Sequence, residues 1–434
     1  MSPPVPVAVS ATLAADEALA RRRLAGQEVL SLASGEVGLP VLPRLRSLLA
    51  DAAGRNAYGP VPGSPRLRAA AAGYWARRGL PVDPGLVVCG PGSKPLLFAL
   101  MLAVGGDVVV PVPSWVSYSA QARLAGARAV PVPTPPGEGG VPDPDALREA
   151  VAAARSGGRD PRSVVVTLPD NPTGTIASPR TVRRLARAAR ELGLVVISDE
   201  IYRDLVFDPA DRIASPALYA PERTVITTGV TKNLALGGWR LGVARLPDSD
   251  TGRELHTRLL GVVSQIWSST AAPVQEAAAY ALEEPPEVTA RVTASRRLHG
   301  TVVREAARRF AAAGAVLTPV RATSYLYPDF EPLREDLVRL HGIRGGTALT
   351  ELLMERYGVG VLPGAVFGEP DDPLRIRIAT SRLYGETDAE RTAALTARDP
   401  LELPWIGAAL DRVTEVLHDL TGRPPGPAPD GARP

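Results

Sequence analysis

Lysine is nearly absent from this sequence. Of 49 basic residues only two, Lys94 and Lys232, are lysine; the rest are arginine. Where such a chain keeps a lysine, the site calls for a primary amine or a compact ammonium. Lys232 lies in TGVTKNLALGGWRLG, just after the strand-like VITT, with Arg240 eight residues on. An amine there can add to a carbonyl and form a Schiff base, which a permanently protonated guanidinium cannot do. Asp199 ends the apolar run LVVIS, where an ionised carboxylate is costly without a cationic partner. In GPGSK, glycine and serine precede Lys94 at a helix start, a place where backbone N–H groups face an anion. Arg240 can add a bidentate phosphate contact.

These groups need elements that bring them together. From Arg66 the chain alternates helix-like and strand-like segments: helices at Arg66–Arg78, Lys94–Val104, Ala146–Ala154 and Pro179–Leu192, strands at Leu86–Cys89, Asp107–Pro111, Ser163–Leu168, Leu194–Ser198 and Thr224–Thr228. Continuous apolar strands such as SVVVTL fit burial on both faces, so the fold class is α/β, a mostly parallel sheet sandwiched by helices. Ligands in such folds bind beyond the carboxyl ends of the strands. Asn171 in PDNPTG, Asp199 with Tyr202, Lys232 with Arg240, and GPGSK all follow strand ends. An amine, a carboxylate for a ring nitrogen and a phosphate cup together describe a pyridoxal phosphate site.

The flanks differ. Ser10 opens SATLAADEALARRRLAG, read as a capped helix, and VLSLASGE follows as a short strand. Past about Ala290 a long helical run precedes short strands near Tyr325–Tyr327, Gly358–Leu362 and Leu374–Ala379. The expected division is a large cofactor domain over 51–289, a smaller α+β domain from 10–50 plus 290–420, and a Pro/Gly-rich tail over 421–434, expected to be disordered. Acidic residues nearly balance basic ones, 46 against 49, so no nucleic-acid face is expected. No long uncharged apolar run reads as a membrane span and no basic n-region as a signal peptide, so a soluble, cytoplasmic protein is expected. The single Cys89 lies in LVVCG and reads as a core thiol. His256, His299, His341 and His418 share no motif or metal-ligand spacing. GPGSK fails as a dinucleotide fingerprint because Pro95 falls at the third glycine position.

The motifs YGPVPGSPRLR, GPGSKPLLFAL, PSWVSY, PDNPTG, SDEIYRDL, TKNLALGGWRLG, GVGVLPGAVFG and RIRIATS occur in this order over roughly Ser10–Tyr384. Together they resemble the pyridoxal-phosphate-dependent class I/II aminotransferases of fold type I, near the aspartate aminotransferase branch. The resemblance implies that Lys232 forms the Schiff base and shuttles the substrate proton. It implies that Asp199 partners the pyridine nitrogen, that Asn171 and Tyr202 donate to the ring oxygen, and that Trp115 stacks on the ring. Ser93, Lys94 and Arg240 would hold the phosphate. Tyr58 would reach the phosphate of a neighbouring subunit, implying a homodimer with shared active sites. Arg377 would clamp the substrate carboxylate, with Gly35 in the substrate loop. Arg375, two residues earlier, would share a strand face with Arg377, but RIAT from Arg377 fits the family pattern better.

Many relatives carry a phosphate-binding serine where this chain has Gly229, which shifts the load to Ser93, Thr231 and Arg240. Lys94 with Ser10-Ala11-Thr12 matches a subgroup that binds acidic donors, aspartate or glutamate, although Lys94 could serve phosphate alone. The segment SQIWSST, with Trp267 and no arginine, would suit a larger or aromatic side chain. The expected reaction is amino transfer from an amino acid to a 2-oxo acid. Other pyridoxal reactions stay open: β- or γ-elimination or replacement, or cyclopropane formation from S-adenosylmethionine. A transcription regulator built on the same domain would need a DNA-binding domain ahead of it, for which the resemblance, beginning by Ser10, is expected to leave no room.

Overall fold

A computed structural model describes residues 8–423. Strand β1 (Leu30–Ser31) comes from the N-terminal segment. Strands β2 (Val87–Gly90), β3 (Asp107–Val112), β4 (Ala129–Pro133), β5 (Pro161–Thr167), β6 (Val195–Asp199), β7 (Thr224–Gly229) and β8 (Gly242–Arg245) form one sheet, ordered β2-β8-β7-β6-β5-β3-β4. The run β4-β3-β5-β6-β7 is parallel, and β8 is antiparallel to both neighbours. The apolar runs behave as two-faced strands. Val164, Val166 and Val196 pack against one helical layer, while Val165, Ile197 and Val225 pack against the other, as burial on both faces requires. Helices on this sheet start as their sequences dictate: Ser64 and Ser178 each accept a backbone N–H in the first turn, satisfying a donor the helix cannot pair internally.

Strands β9 (Tyr325–Leu326), β10 (Val359–Gly360), β11 (Leu362–Pro363) and β12 (Ile376–Ala379) come from the C-terminal third. β12 pairs antiparallel with β11 and β9, and β1 runs parallel to β10. The Leu32 carbonyl accepts from Ala379 N–H at 2.7 Å. The N-terminal segment is thus stitched between β10 and β12, which carries Ser34–Glu36 toward the ends of the central strands. Leu32, Val37 and Leu39 share a core with the 27-residue helix Pro286–Ala312 and the helix Pro404–Thr421.

Three expectations change. Ser10 occupies the N-cap position of helix Ala11–Leu24, but its side chain makes no cap hydrogen bond. VLSLASGE supplies only a two-residue strand. β12 begins at Ile376, not Leu374, and Arg375 just before it makes an isolated antiparallel bridge to Asp329. The expectation for the tail falls mostly outside the described residues: Thr421 still closes the last helix, and 424–434 lie beyond them. No helix among the described residues is long and apolar enough to cross a membrane.

Candidate active site

The carboxyl ends of β5, β6 and β7 and the stitched N-terminal segment enclose a cavity of about 500 Å³. Its lining includes Ser93, Lys94, Trp115, Asn171, Asp199, Tyr202, Lys232, Arg240, Arg377 and Gly35, so ten of the eleven residues singled out in the sequence meet there. The eleventh, Tyr58, is 91% exposed on the protein surface.

Asp199 forms the floor. Ladder register places it between Thr167 of β5 and Thr227 of β7. The Tyr118 hydroxyl donates to Asp199 Oδ2 at 2.9 Å and lies 2.8 Å from Thr167 Oγ1, while Thr227 Oγ1 donates to Oδ1 at 3.2 Å. Burial pushes the Asp199 carboxyl up to about 6, with the Tyr118 and Thr227 hydroxyls holding it partly back. A buried carboxylate poised this way is stabilised by a protonated ring nitrogen, whose positive charge offsets the desolvation.

A cradle lies beside it. Helix Ser93–Val104 starts after Gly92, whose φ is +102°, a conformation that suits glycine. The Arg240 guanidinium presses against Gly92: an ideal Cβ there would fall 2.5 Å from Arg240 Nη2. Arg240 itself adopts a left-handed conformation, φ 52°, and donates to the Gly237 carbonyl at 2.9 Å. A Cβ at Gly242 would collide with the Ser93 backbone nitrogen. The site therefore brings a helix N-terminus and a guanidinium together with no side chain between, which fits a phosphate. Gly229 has its own reason to be glycine, since a Cβ there would sit 2.7 Å from the Leu241 carbonyl oxygen of the neighbouring chain segment. Lys94 Nζ lies 5.0 Å from the Trp115 ring centroid. Burial, then the charges of Arg240 and Lys232, lower the Lys94 ammonium below its usual range.

The cover carries cations. Lys232 Nζ donates to the Gly35 carbonyl at 2.6 Å. Arg377 is 2% exposed, donates to the Ala33 carbonyl, and places Nη1 3.3 Å from Asn171 Oδ1. Its Nε is buried with no partner among the described residues. Burial lowers the Arg377 guanidinium, since a buried charge with neutral acceptors is poorly compensated. Arg375 instead pairs with Asp329 at 2.9 Å and Glu369 at 2.8 Å. Asn171 Nδ2 lies 3.5 Å from the Tyr202 hydroxyl.

Among the lining or supporting residues not assigned roles from the sequence are Tyr118, Thr167, Thr227, Tyr325, Asp16 and Glu36. Tyr118 had a signal, three residues past Trp115 in PSWVSY. Asp16 follows Thr12 by one helical turn, so the two share a face. Tyr325 lies on the short strand expected near Tyr325–Tyr327, but nothing in its sequence neighbourhood marks a role for it.

The profile of the family described as aminotransferase class I and II matches residues 27–387. The aspartate/prephenate aminotransferase of Thermus thermophilus is 32% identical over 398 residues, covering 90% of this chain and 96% of its own. Among solved structures, aspartate aminotransferase from Thermus thermophilus with maleate matches with a TM-score of 0.78 at 28% identity, covering 94% of this chain and 97% of its own. N-succinyldiaminopimelate aminotransferase from Mycobacterium tuberculosis gives the same TM-score, 0.78, the same 28% identity and the same coverage, 94% and 97%.

Proposed function

The chain belongs to the class I and II aminotransferases, and on that premise we propose that it exchanges an amino group between an L-amino acid, preferably aspartate or glutamate, and a 2-oxo acid, with pyridoxal phosphate bound in the cavity. The cofactor, when bound, supplies an aldehyde carbon and an electron-accepting ring. Lys232 would hold the cofactor's aldehyde end through its amine and would serve to carry the substrate α-proton. Asp199 holds a proton at the ring nitrogen. Asn171 and Tyr202 bond the ring oxygen, and Trp115 covers the ring face. Ser93, the first turn of its helix and Arg240 bind the phosphate. Gly35 lies over the substrate.

The observation that carries the reading is Arg377. A guanidinium buried among carbonyl and amide oxygens, with Nε unpartnered, sits in one cavity with Lys232. A substrate α-carboxylate supplies the missing counter-charge and a bidentate partner. An acidic side chain is supported by Lys94, Ser10 and Thr12 in the same lining and by relatives named for aspartate. Asp16 works against it from the same helix; burial raises its carboxyl, which weakens that opposition.

The exposed Tyr58 supports a homodimer in which each subunit completes its partner's phosphate site. The segments 10–50 and 290–420 act as a small lobe closing on 51–289, and the reaction belongs to the cytoplasm. The test is stoichiometric 2-oxo acid formation from aspartate or glutamate that requires a 2-oxo acid acceptor. Ammonia release, or loss of a side-chain leaving group, would overturn the transfer reading. Turnover restricted to aromatic donors would overturn the acidic preference alone.

A further inference from the structure

Tyr325 is a buried phenol that the roles above leave unused. Its hydroxyl lies 2.9 Å from the Tyr202 hydroxyl, the two rings meeting edge-on at 5.6 Å. The Arg377 guanidinium stands 4.9 Å from the Tyr325 ring centroid. Gly35 crosses directly over the phenol: an ideal Cβ at Gly35 would collide with the Tyr325 hydroxyl oxygen and fall 2.9 Å from Cζ. The carbonyl of that same glycine accepts Lys232 Nζ at 2.6 Å. One phenol thus meets Tyr202 and Arg377, and faces Lys232 both directly and through the backbone of Gly35.

The strand presenting it is held in an unusual backbone. Thr323 has φ 69°, and its Oγ1 accepts the Tyr325 N–H at 3.1 Å. Non-glycine residues in that region need surrounding structure to hold them. The electrostatics set Tyr325 apart as well. Burial drives Tyr74, Tyr118, Tyr202, Tyr327 and Tyr384 upward. Tyr325 is as buried and burial, the largest single influence, pushes it the same way, yet the Lys232 and Arg377 cations together with hydrogen bonds from Tyr202 and Lys232 lower it. The charged or titratable groups acting on it are Lys232, Arg377 and Tyr202, with Asp199 reaching it only through Tyr202.

We propose that Tyr325 is a positioning residue for the amino transfer: its hydroxyl seats Gly35 so that the Gly35 carbonyl holds Lys232, and it fixes the Tyr202 hydroxyl in the same contact. A hydroxyl has one proton to give. The contact between the two phenols decides whether Tyr202 spends its proton on Tyr325 or keeps it for the cavity. Phenylalanine at 325 keeps the ring and its packing but removes the atom that joins Tyr202 to the Gly35 segment.

The inference rests on the transfer reading for its kinetic arm only. Lysine carrying carbon-13 at Cε gives two signals in this chain, one each from Lys94 and Lys232. In the cofactor-free full-length protein, Tyr325→Phe should move the Lys232 signal and leave that of Lys94 in place. Gly35→Ala should move it further. Adding Tyr325→Phe to Gly35→Ala should bring it part of the way back, because the hydroxyl is the first atom the new methyl meets. In the loaded enzyme Tyr325→Phe should lower kcat about tenfold, as misplacement of a reacting group does, with little change in KM for the amino donor. An unmoved Lys232 signal, an unchanged kcat, or effects of the two substitutions that simply add would each overturn the proposal. The lysine spectra need no reaction, so they answer for Tyr325 even in a protein that proved not to transfer amino groups.

Discussion

Asp199 on the floor of the cavity and Arg377 on its cover are both buried charges, but they are held differently. Asp199 takes hydroxyls from Tyr118 and Thr227, and Thr227 comes from the adjacent strand in ladder register. Arg377 takes the Ala33 carbonyl, 344 residues away in the chain, and an amide oxygen of Asn171. Lys232 spans the two regions, rooted just past β7 and bonded to Gly35. The floor is fixed by a sheet whose strands would have to separate for it to change. The cover depends on a few bonds to one short segment, the kind of contact that opens without global unfolding. The difference teaches where rigidity is placed: on the proposed reading it would lie under the cofactor ring, where a charge must stay aligned, and not over the substrate, which has to enter.

The hardest blow to that contrast is aimed at the residue that spans it. Lys232→Ala should cost at least about a thousandfold in kcat, the scale expected for losing a nucleophile and its proton transfer. Cofactor titration followed by fluorescence should still show binding through the phosphate cradle. Lys232→Arg should be as inactive, and normal turnover in that variant would end the account.

Arg377→Leu tests the cover. The kcat/KM for amino donors should fall about a hundredfold, carried mostly by KM, as for loss of a bidentate carboxylate contact. Arg375→Leu, which cuts partly buried pairs with Asp329 and Glu369 outside the cavity lining, should leave kcat/KM within about twofold and act on stability, because it leaves the Glu369 carboxylate without its cation. Equal kinetic losses in both variants would erase the distinction between the two arginines.

Asp199→Asn tests the floor by pH. A carboxyl raised from its unfolded value to about 6 binds protons more tightly in the fold. Stability of the cofactor-free protein therefore falls as pH rises from about 4 to about 6. The penalty is fully present above that window and is on the order of 3 kcal/mol at most. Asp199→Asn should accordingly raise the melting temperature at pH 7 relative to wild type, show no such gain at pH 4, and abolish turnover. A variant melting lower at both pH values would mean that the hydroxyl network, not desolvation, dominates at Asp199.

The smallest effect concerns specificity. Asp16→Asn removes a carboxyl from the lining and should raise kcat/KM for aspartate and glutamate about two- to threefold while leaving neutral donors unchanged. A loss for acidic donors would show that the Asp16 carboxyl donates to the substrate.

The same division governs what could be read from the sequence. Asp199, Asn171 and Lys232 were legible because each follows an apolar run long enough to declare a strand, and strand order then brings the ends together; Tyr118 and Thr227, which bond Asp199, were not. Strand boundaries agree to within a residue or two, as for Ser163–Leu168 against Pro161–Thr167. The antiparallel β8 was not legible, because GVAR is four residues long, opens on glycine and ends on arginine, and so lacks a continuous apolar run. Nor was Tyr325, whose importance comes from Gly35 lying across it, a contact set by long-range packing that no local period encodes. Arg375 and Arg377 look alike because both lie on extended backbone two residues apart; what separates them is their partners, Asp329 and Glu369 against Ala33 and Asn171, which no local period encodes.

Both amines that the side chains of this protein possess open into one cavity. Elsewhere, surface ion pairs are made by arginine throughout. Acylating esters, reducing sugars and reductive alkylation all attack neutral amines and pass over guanidinium groups. Among side-chain amines, such reagents have only this cavity to act on. Covalent tagging through lysine and loss of the active amine would therefore compete for the same two atoms, and a ligand seated in the cavity would shield every lysine the molecule has.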